Sequence, residues 1–140
     1  MNNRRSFIVG IKSIKLLPRE KIFLKKYKPW GVILFSRNIK TINQTLKLTN
    51  SIRGIFNDKK YPILVDQEGG RVNRLKNIIS FDYFTSEFFG NKFVKDFKEF
   101  NLIYKLFIDK TSYLLNLMGI NINTYPVLDL KVKNSSNIIG

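Results

Sequence analysis

The 140-residue chain contains no cysteine, no histidine and no alanine. Without cysteine it can form neither disulfide bonds nor thiolate metal sites, and it has no thiol nucleophile. Without histidine it has no serine–histidine pair, no imidazole general base and no histidine-ligated metal. Much common catalytic chemistry is therefore excluded before any motif is considered.

Long apolar runs are also absent. Arg4 and Arg5 precede an apolar run over residues 7–11, an arrangement superficially similar to a twin-arginine export signal. An export segment needs about 7–15 apolar residues and a membrane-spanning helix about 20, and this run ends at Lys12. The sequence therefore predicts a soluble, cytoplasmic protein that does not interact with membranes.

Charge of one sign predominates, with 25 Lys and Arg residues against 10 Asp and Glu and a net charge of +15. Such an excess is typical of proteins that bind nucleic acid or another polyanion. Ile, Lys and Asn nevertheless make up 51 of the 140 residues, which indicates a compositional bias. The lysines are dispersed, the densest pairs being Lys25-Lys26 and Lys59-Lys60. We therefore favour dispersed surface charge and do not expect nucleic acid as a partner; a basic binding module for nucleic acid or anionic glycan is the alternative.

Short apolar runs alternate with helical patterns, and the composition of 44% hydrophobic and 25% charged residues is that of a globular protein. Strands are predicted at residues 7–11, 30–35, 61–66 and 120–128, and helices at 19–26, 41–58 and 97–118. The segment 68–91 shows no clean period and is predicted to be a loop with short helical pieces. This strand–helix alternation predicts an α/β fold with about four parallel strands and covering helices. Either a doubly wound sheet or part of a (β/α)₈ barrel fits the pattern.

Polar residues follow three of the predicted strands, at residues 36–38, at 66–74 and at Asp129. Functional groups cluster at these carboxyl ends in parallel α/β folds. Asp66 follows four apolar residues, and its carboxylate could accept two hydroxyl donors, as adjacent hydroxyls of a sugar would require. Arg71 and Arg74 offer guanidinium groups to a polar ligand. The alternative is that Asp66 caps a turn and that the arginines pair with Asp66 or Glu68.

Other kinds of site find less support. Gly69-Gly70 would allow a tight turn or close approach to a ligand, but it belongs to no phosphate-binding pattern. Asp66, Glu68 and Asp129 could in principle bind Mg²⁺ or Ca²⁺, yet their spacing matches no known ligand pattern, and we predict neither a metal nor a cofactor. An aromatic cluster could stack on sugars or bases but is more commonly core under a long loop; it comprises Phe81, Tyr83, Phe84, Phe88, Phe89 and Phe93.

Three motifs, in order along the chain, resemble those of a known family. They are G-V-I-L-F-S-R-N at residues 31–38, V-D-Q-E-G-G-R-V-N-R-L at 65–75 and M-G-I-N-I-N-T-Y-P-V-L-D-L at 118–130. Together they resemble the N-terminal part of glycoside hydrolase family 3, in its bacterial β-N-acetylhexosaminidase branch. Residues 134–140 resemble the start of that family's next loop. Within the motifs, Ser13, Asn121 and Thr124-Tyr125 stand where the family commonly has Gly, Asp and Phe-Ala.

The resemblance implies a (β/α)₈ barrel that removes terminal N-acetylglucosamine from peptidoglycan fragments during cell-wall recycling. Hydrolysis in this family is retaining, with an Asp nucleophile and, in this branch, a loop histidine as the acid/base. By motif position, Asp66 and Arg74 would bind hydroxyls of the sugar. The partner implied is thus a glycan that contains N-acetylglucosamine.

A complete barrel needs about 250 residues, and this sequence provides about four strand–helix units. We therefore expect residues 1–140 to be the N-terminal half of a catalytic barrel, an incomplete domain. The family's K-H-F-P-G-H-G loop and nucleophile are expected beyond Gly140, so no residue here is assigned a catalytic role. Such a fragment would be inactive alone, and it could self-associate or pair with a chain that supplies the C-terminal half.

Overall fold

The computed structural model describes residues 4–128, which form a four-stranded parallel sheet with helices in its connections. The strands are β1 (Arg5–Gly10), β2 (Pro29–Leu34), β3 (Ile63–Val65) and β4 (Ile122–Asn123), and the helices are α1 (Pro18–Tyr27), α2 (Ile42–Phe56), α3 (Ser86–Lys95) and α4 (Phe97–Leu117). A 3₁₀ turn at Ser36–Asn38 follows β2. The strand order β1-β2-β3-β4 matches the order along the chain. Because a doubly wound sheet reverses its order at a switch point, this succession is that of a barrel segment.

The helix boundaries follow local sequence signals. Pro18 occupies the first turn of α1, where its missing N–H costs nothing. The Thr41 hydroxyl caps α2 by accepting a hydrogen bond from the Gln44 N–H at 3.2 Å. Thr41 and Gln44 have the spacing of a capping box, but only half of it forms, because Gln44 Oε1 accepts from the Lys40 N–H at 2.9 Å instead of from the Thr41 N–H.

The hydrophobic core lies between one face of the sheet and the helices. Alternate strand residues contribute to it, since successive side chains of a strand point to opposite faces. The buried members from strands and helices include Val32, Leu34, Ile63, Val65, Leu24, Leu48, Ile52, Phe107 and Leu114. Ile33, Leu64 and Ile122 are register partners across three strands and form a row on the other face.

Two elements differ from the sequence prediction. Helix α3 begins at Ser86, inside the segment predicted as a loop with short helical pieces, but it is ten residues long and continues past the predicted end of that segment to Lys95. The Thr85 hydroxyl caps it by accepting from the Phe88 N–H at 3.0 Å. The dense run of phenylalanines there hid the helical period. Strand β4 is only two residues long, whereas a strand was predicted over 120–128. Pro126 cannot donate a backbone hydrogen bond, which limits any extension of the ladder.

The longest helix, α4, confirms most of its predicted apolar face. Phe107, Thr111 and Leu114 are buried, whereas Phe97 is exposed and packs edge-on against Phe93 with ring centroids 5.4 Å apart. Phe97 is the first residue of α4, where the helix leaves the end of α3 and the core. None of the helices within residues 4–128 is long and apolar enough to span a membrane.

Tyr61 provides a test of the core at alkaline pH. It stacks on Phe56 with ring centroids 4.0 Å apart, its hydroxyl donates to the Pro29 carbonyl at 2.9 Å, and its burial raises its pKa to about 12. In the unfolded chain the phenol ionises near pH 10, so the folded state loses stability as the pH rises from about 10 towards 12. We expect Tyr61→Phe to lose less stability than the unsubstituted chain across that interval, as measured by urea unfolding at each pH. Parallel pH profiles for the two chains would contradict this expectation.

Candidate functional site

The predicted site residues come together where β3 and β4 end. Asp66 directly follows β3, and Thr124 directly follows β4. The Thr124 N–H donates to the Val65 carbonyl at 3.0 Å, which brings the two strand ends side by side. Arg74 returns to the same place from the loop after β3. The structure thus joins Asp66 and Arg74, the two predicted sugar-binding residues, at the carboxyl edge of the sheet.

Asp66 is contacted through both of its carboxylate oxygens. Arg74 Nη2 lies 2.9 Å from Asp66 Oδ2, and Thr124 Oγ1 donates to Asp66 Oδ1 at 3.2 Å. Both charged side chains remain about a quarter exposed, at 27% for Asp66 and 25% for Arg74. The alternative in which an arginine pairs with Asp66 is therefore also observed, and the remaining exposure keeps the carboxylate accessible to a ligand.

The guanidinium of Arg74 packs against the aromatic ring of Phe35. It lies 5.3 Å from the Phe35 ring centroid, within the range of a cation–π contact. Arg37 approaches the same ring at 4.6 Å, and its Nε donates to the Ile11 carbonyl at 3.0 Å. Arg74 Nε is buried and has no hydrogen-bond partner within the described part of the chain. Phe35 therefore fixes the plane of a guanidinium that still has an unused donor.

Gln67, which the sequence analysis did not single out, organises the loop that carries Arg74. Its side chain is fully buried, and Oε1 accepts from the backbone N–H groups of Arg74 at 2.8 Å and of Leu75 at 3.0 Å. These two bonds fix the return of the loop towards Asp66. Nothing in the sequence indicated that Gln67 would be buried, because it lies between two acidic residues and glutamine is ordinarily exposed.

Asn123 connects β4 to the same loop. Its Oδ1 accepts from the Gln67 N–H at 2.9 Å, and its Nδ2 donates to the Gln67 carbonyl at 3.0 Å. One amide side chain therefore satisfies both backbone groups of the residue that follows Asp66. Thr124 is the next residue along the chain. The two bonds of Asn123 therefore also hold the backbone from which the Thr124 hydroxyl reaches Asp66.

Gly69 and Gly70 shape the turn beyond Asp66. Their φ angles are +97° and +53°, in the region that favours glycine. A Cβ at Gly69 would lie 2.2 Å from the Phe84 carbonyl oxygen. Of the two predicted uses of this pair, the tight turn is confirmed, and the close approach at Gly69 is to the protein's own backbone.

The remaining acidic residues do not form a metal site within residues 4–128, where no three histidine, cysteine, aspartate or glutamate side chains are close enough to hold an ion. Asp129, one of the three candidate ligands, lies outside the described residues, as do residues 134–140 of the family resemblance.

Glu68 lies near Tyr125. The pKa of Tyr125 is raised above its ordinary value by burial first, and further by its hydrogen bond with Tyr104 and by the charge of Glu68.

The aromatic cluster after the site is mostly core, as its composition indicated. Phe84 stacks on Phe107 at 5.6 Å, and Phe81 and Phe89 are buried beside it. Tyr83 is 85% exposed and lies outside this packing. Phe93 is 52% exposed and packs against Phe97 and Phe100. The prediction of a core under a long loop is therefore confirmed for Phe81, Phe84, Phe88 and Phe89, and it is wrong for Tyr83 and Phe93.

Several known proteins are similar in sequence to this chain. No protein-family model matches the chain. A beta-hexosaminidase A from Pseudoalteromonas piscicida is 27% identical over 129 residues, which cover 89% of this chain and 21% of that protein. A beta-hexosaminidase from Hydrogenovibrio crunogenus is 45% identical over 69 residues, covering 49% of this chain and 19% of that protein.

Solved structures agree with the sequence relatives. NagZ from Neisseria gonorrhoeae superposes with a TM-score of 0.73 and 28% identity, over 91% of this chain and 38% of that one. A glycoside hydrolase family 3 beta-N-acetylglucosaminidase from Paenibacillus has the same fold, with a TM-score of 0.62. The chain thus spans between about a fifth and two-fifths of the length of these proteins. By sequence and by fold, the chain is similar to the N-terminal portion of the glycoside hydrolase family 3 β-N-acetylhexosaminidases.

Proposed function

We propose that this chain supplies part of the sugar-binding subsite of a retaining β-N-acetylhexosaminidase, with Asp66 and Arg74 binding hydroxyls of a terminal N-acetylglucosamine. The observation that carries the proposal is the Asp66–Arg74 pair, 2.9 Å apart at the carboxyl edge of the sheet. In barrels of this kind ligands bind at that edge. The beta-hexosaminidase relatives and the NagZ fold support the substrate class.

The chemistry of the pair suits a polyhydroxylated ligand. An ionised carboxylate only accepts hydrogen bonds, whereas a guanidinium only donates them. Asp66 can therefore take protons from sugar hydroxyls, while Arg74 offers N–H groups to hydroxyl or carbonyl oxygens.

The proposed contribution is binding, and no residue of the 140 is assigned the nucleophile or acid/base role. The acid/base of the related branch is a histidine, which this sequence lacks. The proposed reaction of the complete barrel is hydrolysis of terminal N-acetylglucosamine from peptidoglycan fragments, through a covalent glycosyl intermediate.

The expected cellular setting follows from the same proposal. Peptidoglycan fragments recycled in the cytoplasm would be the source of the glycan. β1 and β4 each have one neighbouring strand in the described sheet, so each offers a backbone edge to another strand. Self-association, or pairing with a chain that supplies the C-terminal half-barrel, stays a prediction. The relatives give no support to the alternative of a nucleic-acid-binding module.

Titration of the ¹⁵N-labelled chain with N-acetylglucosamine tests the proposal. We expect amide shifts at residues 66–75 and 123–125 in the unsubstituted chain, and a loss of affinity of about tenfold or more in Asp66→Asn, which removes a charged acceptor. Asp58→Asn is the matched control, because Asp58 is also paired with an arginine, Arg4, but precedes β3 at the opposite edge. Absence of shifts in the unsubstituted chain, or equal affinities in the two variants, would refute sugar binding by Asp66.

A further inference from the structure

The Asp66 carboxylate receives one protein donor on each oxygen. Arg74 Nη2 binds Oδ2, and the Thr124 hydroxyl binds Oδ1. The first contact belongs to the pair on which the proposed function depends. The second comes from a position where the family resembled here has phenylalanine, a residue that cannot donate a hydrogen bond. Thr124 is therefore a polar group at the site that the family pattern does not account for.

Counting lone pairs shows what the second donor does. A carboxylate presents about four lone-pair sites, two on each oxygen. Arg74 and Thr124 each use one, which leaves one on Oδ1 and one on Oδ2. Because each oxygen is bonded to a donor from a different part of the chain, rotation about both side-chain bonds of Asp66 is restrained. Each oxygen keeps one acceptor position for a ligand.

The position of the Thr124 hydroxyl is itself fixed. The Thr124 N–H donates to Val65 O at 3.0 Å, and the neighbouring Asn123 is bonded to both backbone groups of Gln67. Thr124 Oγ1 also lies 3.4 Å from Val65 O, but its single proton favours the closer Asp66 oxygen at 3.2 Å. Should a sugar hydroxyl displace that bond, the Thr124 proton still has an acceptor within reach.

We propose that Thr124 is a positioning residue of this site, which orients the Asp66 carboxylate to receive two adjacent hydroxyls of one sugar ring. The inference rests on the proposed function for its ligand. The orientation of Asp66 is a property of the ligand-free chain and can be measured separately.

Two substitutions of Thr124 separate its hydroxyl from its bulk. Thr124→Val keeps the shape and removes the donor, whereas Thr124→Ser keeps the donor. With N-acetylglucosamine as the probe, we expect the valine variant to bind about three- to tenfold more weakly, and the serine variant to bind within about twofold of the unsubstituted chain. Because Thr124 is exposed, both variants should keep the unsubstituted melting temperature.

A second measurement needs no sugar. In the unsubstituted and serine chains, the Hα–Hβ couplings of Asp66 should report a single rotamer, and in the valine variant they should move towards averaged values. The Asp66 ¹³Cγ signal should shift only in the valine variant. If couplings and ¹³Cγ signal are the same in all three chains, Thr124 does not position Asp66, whatever the sugar does. If the Asp66 couplings become averaged in the valine variant but no chain binds N-acetylglucosamine, the positioning role of Thr124 holds and the proposed function fails.

Discussion

Replacing Gly69 by alanine is expected to destabilise the folded chain by about 3–5 kcal/mol, the largest effect of any single methyl group at this site. The φ angle of +97° costs an L-residue about 1–3 kcal/mol. The added Cβ would also lie 2.2 Å from the Phe84 carbonyl oxygen, a backbone atom that cannot rotate away. The loop after β3 would have to open, which would separate Arg74 from Asp66.

Urea unfolding followed by circular dichroism measures this effect, with Gly90→Ala as the control. Gly90 lies in helix α3, where an added Cβ would meet nothing within 4 Å. Alanine there should stabilise the chain by up to about 1 kcal/mol, because glycine is a poor helix former. The two substitutions add the same methyl group and are expected to act in opposite directions. A loss below about 1 kcal/mol at Gly69 would show that the turn does not require glycine.

Gln67→Leu is expected to cost about 1–3 kcal/mol. The substitution leaves the backbone N–H of Arg74 without its acceptor, and an unsatisfied donor costs about that much, whereas the Leu75 N–H keeps a second acceptor, Asn73 Oδ1, at 3.2 Å. Leucine has a similar volume, so the loss reports hydrogen bonding more than packing. The effect should be local as well as global, since these two amides hold the loop that presents Arg74.

Amide hydrogen exchange distinguishes the local effect. We expect the Arg74 amide to exchange faster in Gln67→Leu than the general loss of stability explains, while the amide of Val32, bonded to the Pro62 carbonyl, follows the global change. Ser51→Ala removes an exposed hydroxyl from α2 and should alter stability by less than about 0.5 kcal/mol. Unchanged exchange at Arg74 would contradict the role of Gln67.

The sequence predicted the fold well because its signals are local. Apolar runs of strand length, capping residues such as Thr41 and the helical period of α4 each depend on a few neighbouring residues. The alternation of these elements was enough to place Asp66 at the carboxyl edge of a parallel sheet. Periodicity alone left a doubly wound sheet and a barrel segment open, and the family resemblance favoured the barrel. The observed strand order β1-β2-β3-β4, which no local pattern contains, agrees with that prediction.

The site was only partly predictable for the same reason. Asp66 and Arg74 lie eight residues apart in one motif, whereas the bonds from Thr124 to Asp66 and between Asn123 and Gln67 join residues 58 and 56 positions apart. Nothing in the sequence around Thr124 or Gln67 indicates these partners. The contact between Gly69 and Phe84 likewise depends on how the intervening loop returns.

Two asparagines, Asn121 just before β4 and Asn123 at its end, affect which substitutions this strand tolerates. Asn121 Oδ1 accepts from the Ile63 N–H at 2.7 Å, its Nδ2 approaches the Tyr61 carbonyl at 3.2 Å, and Asn123 bonds to Gln67 at the other end. The side-chain amides of Asn121 and Asn123 thus bond both ends of this two-residue strand to the backbone around β3 and supplement its few backbone hydrogen bonds. Sequence variation in β4 should therefore be freest at the apolar Ile122 and most restricted at its two polar neighbours, the reverse of the usual pattern for a strand.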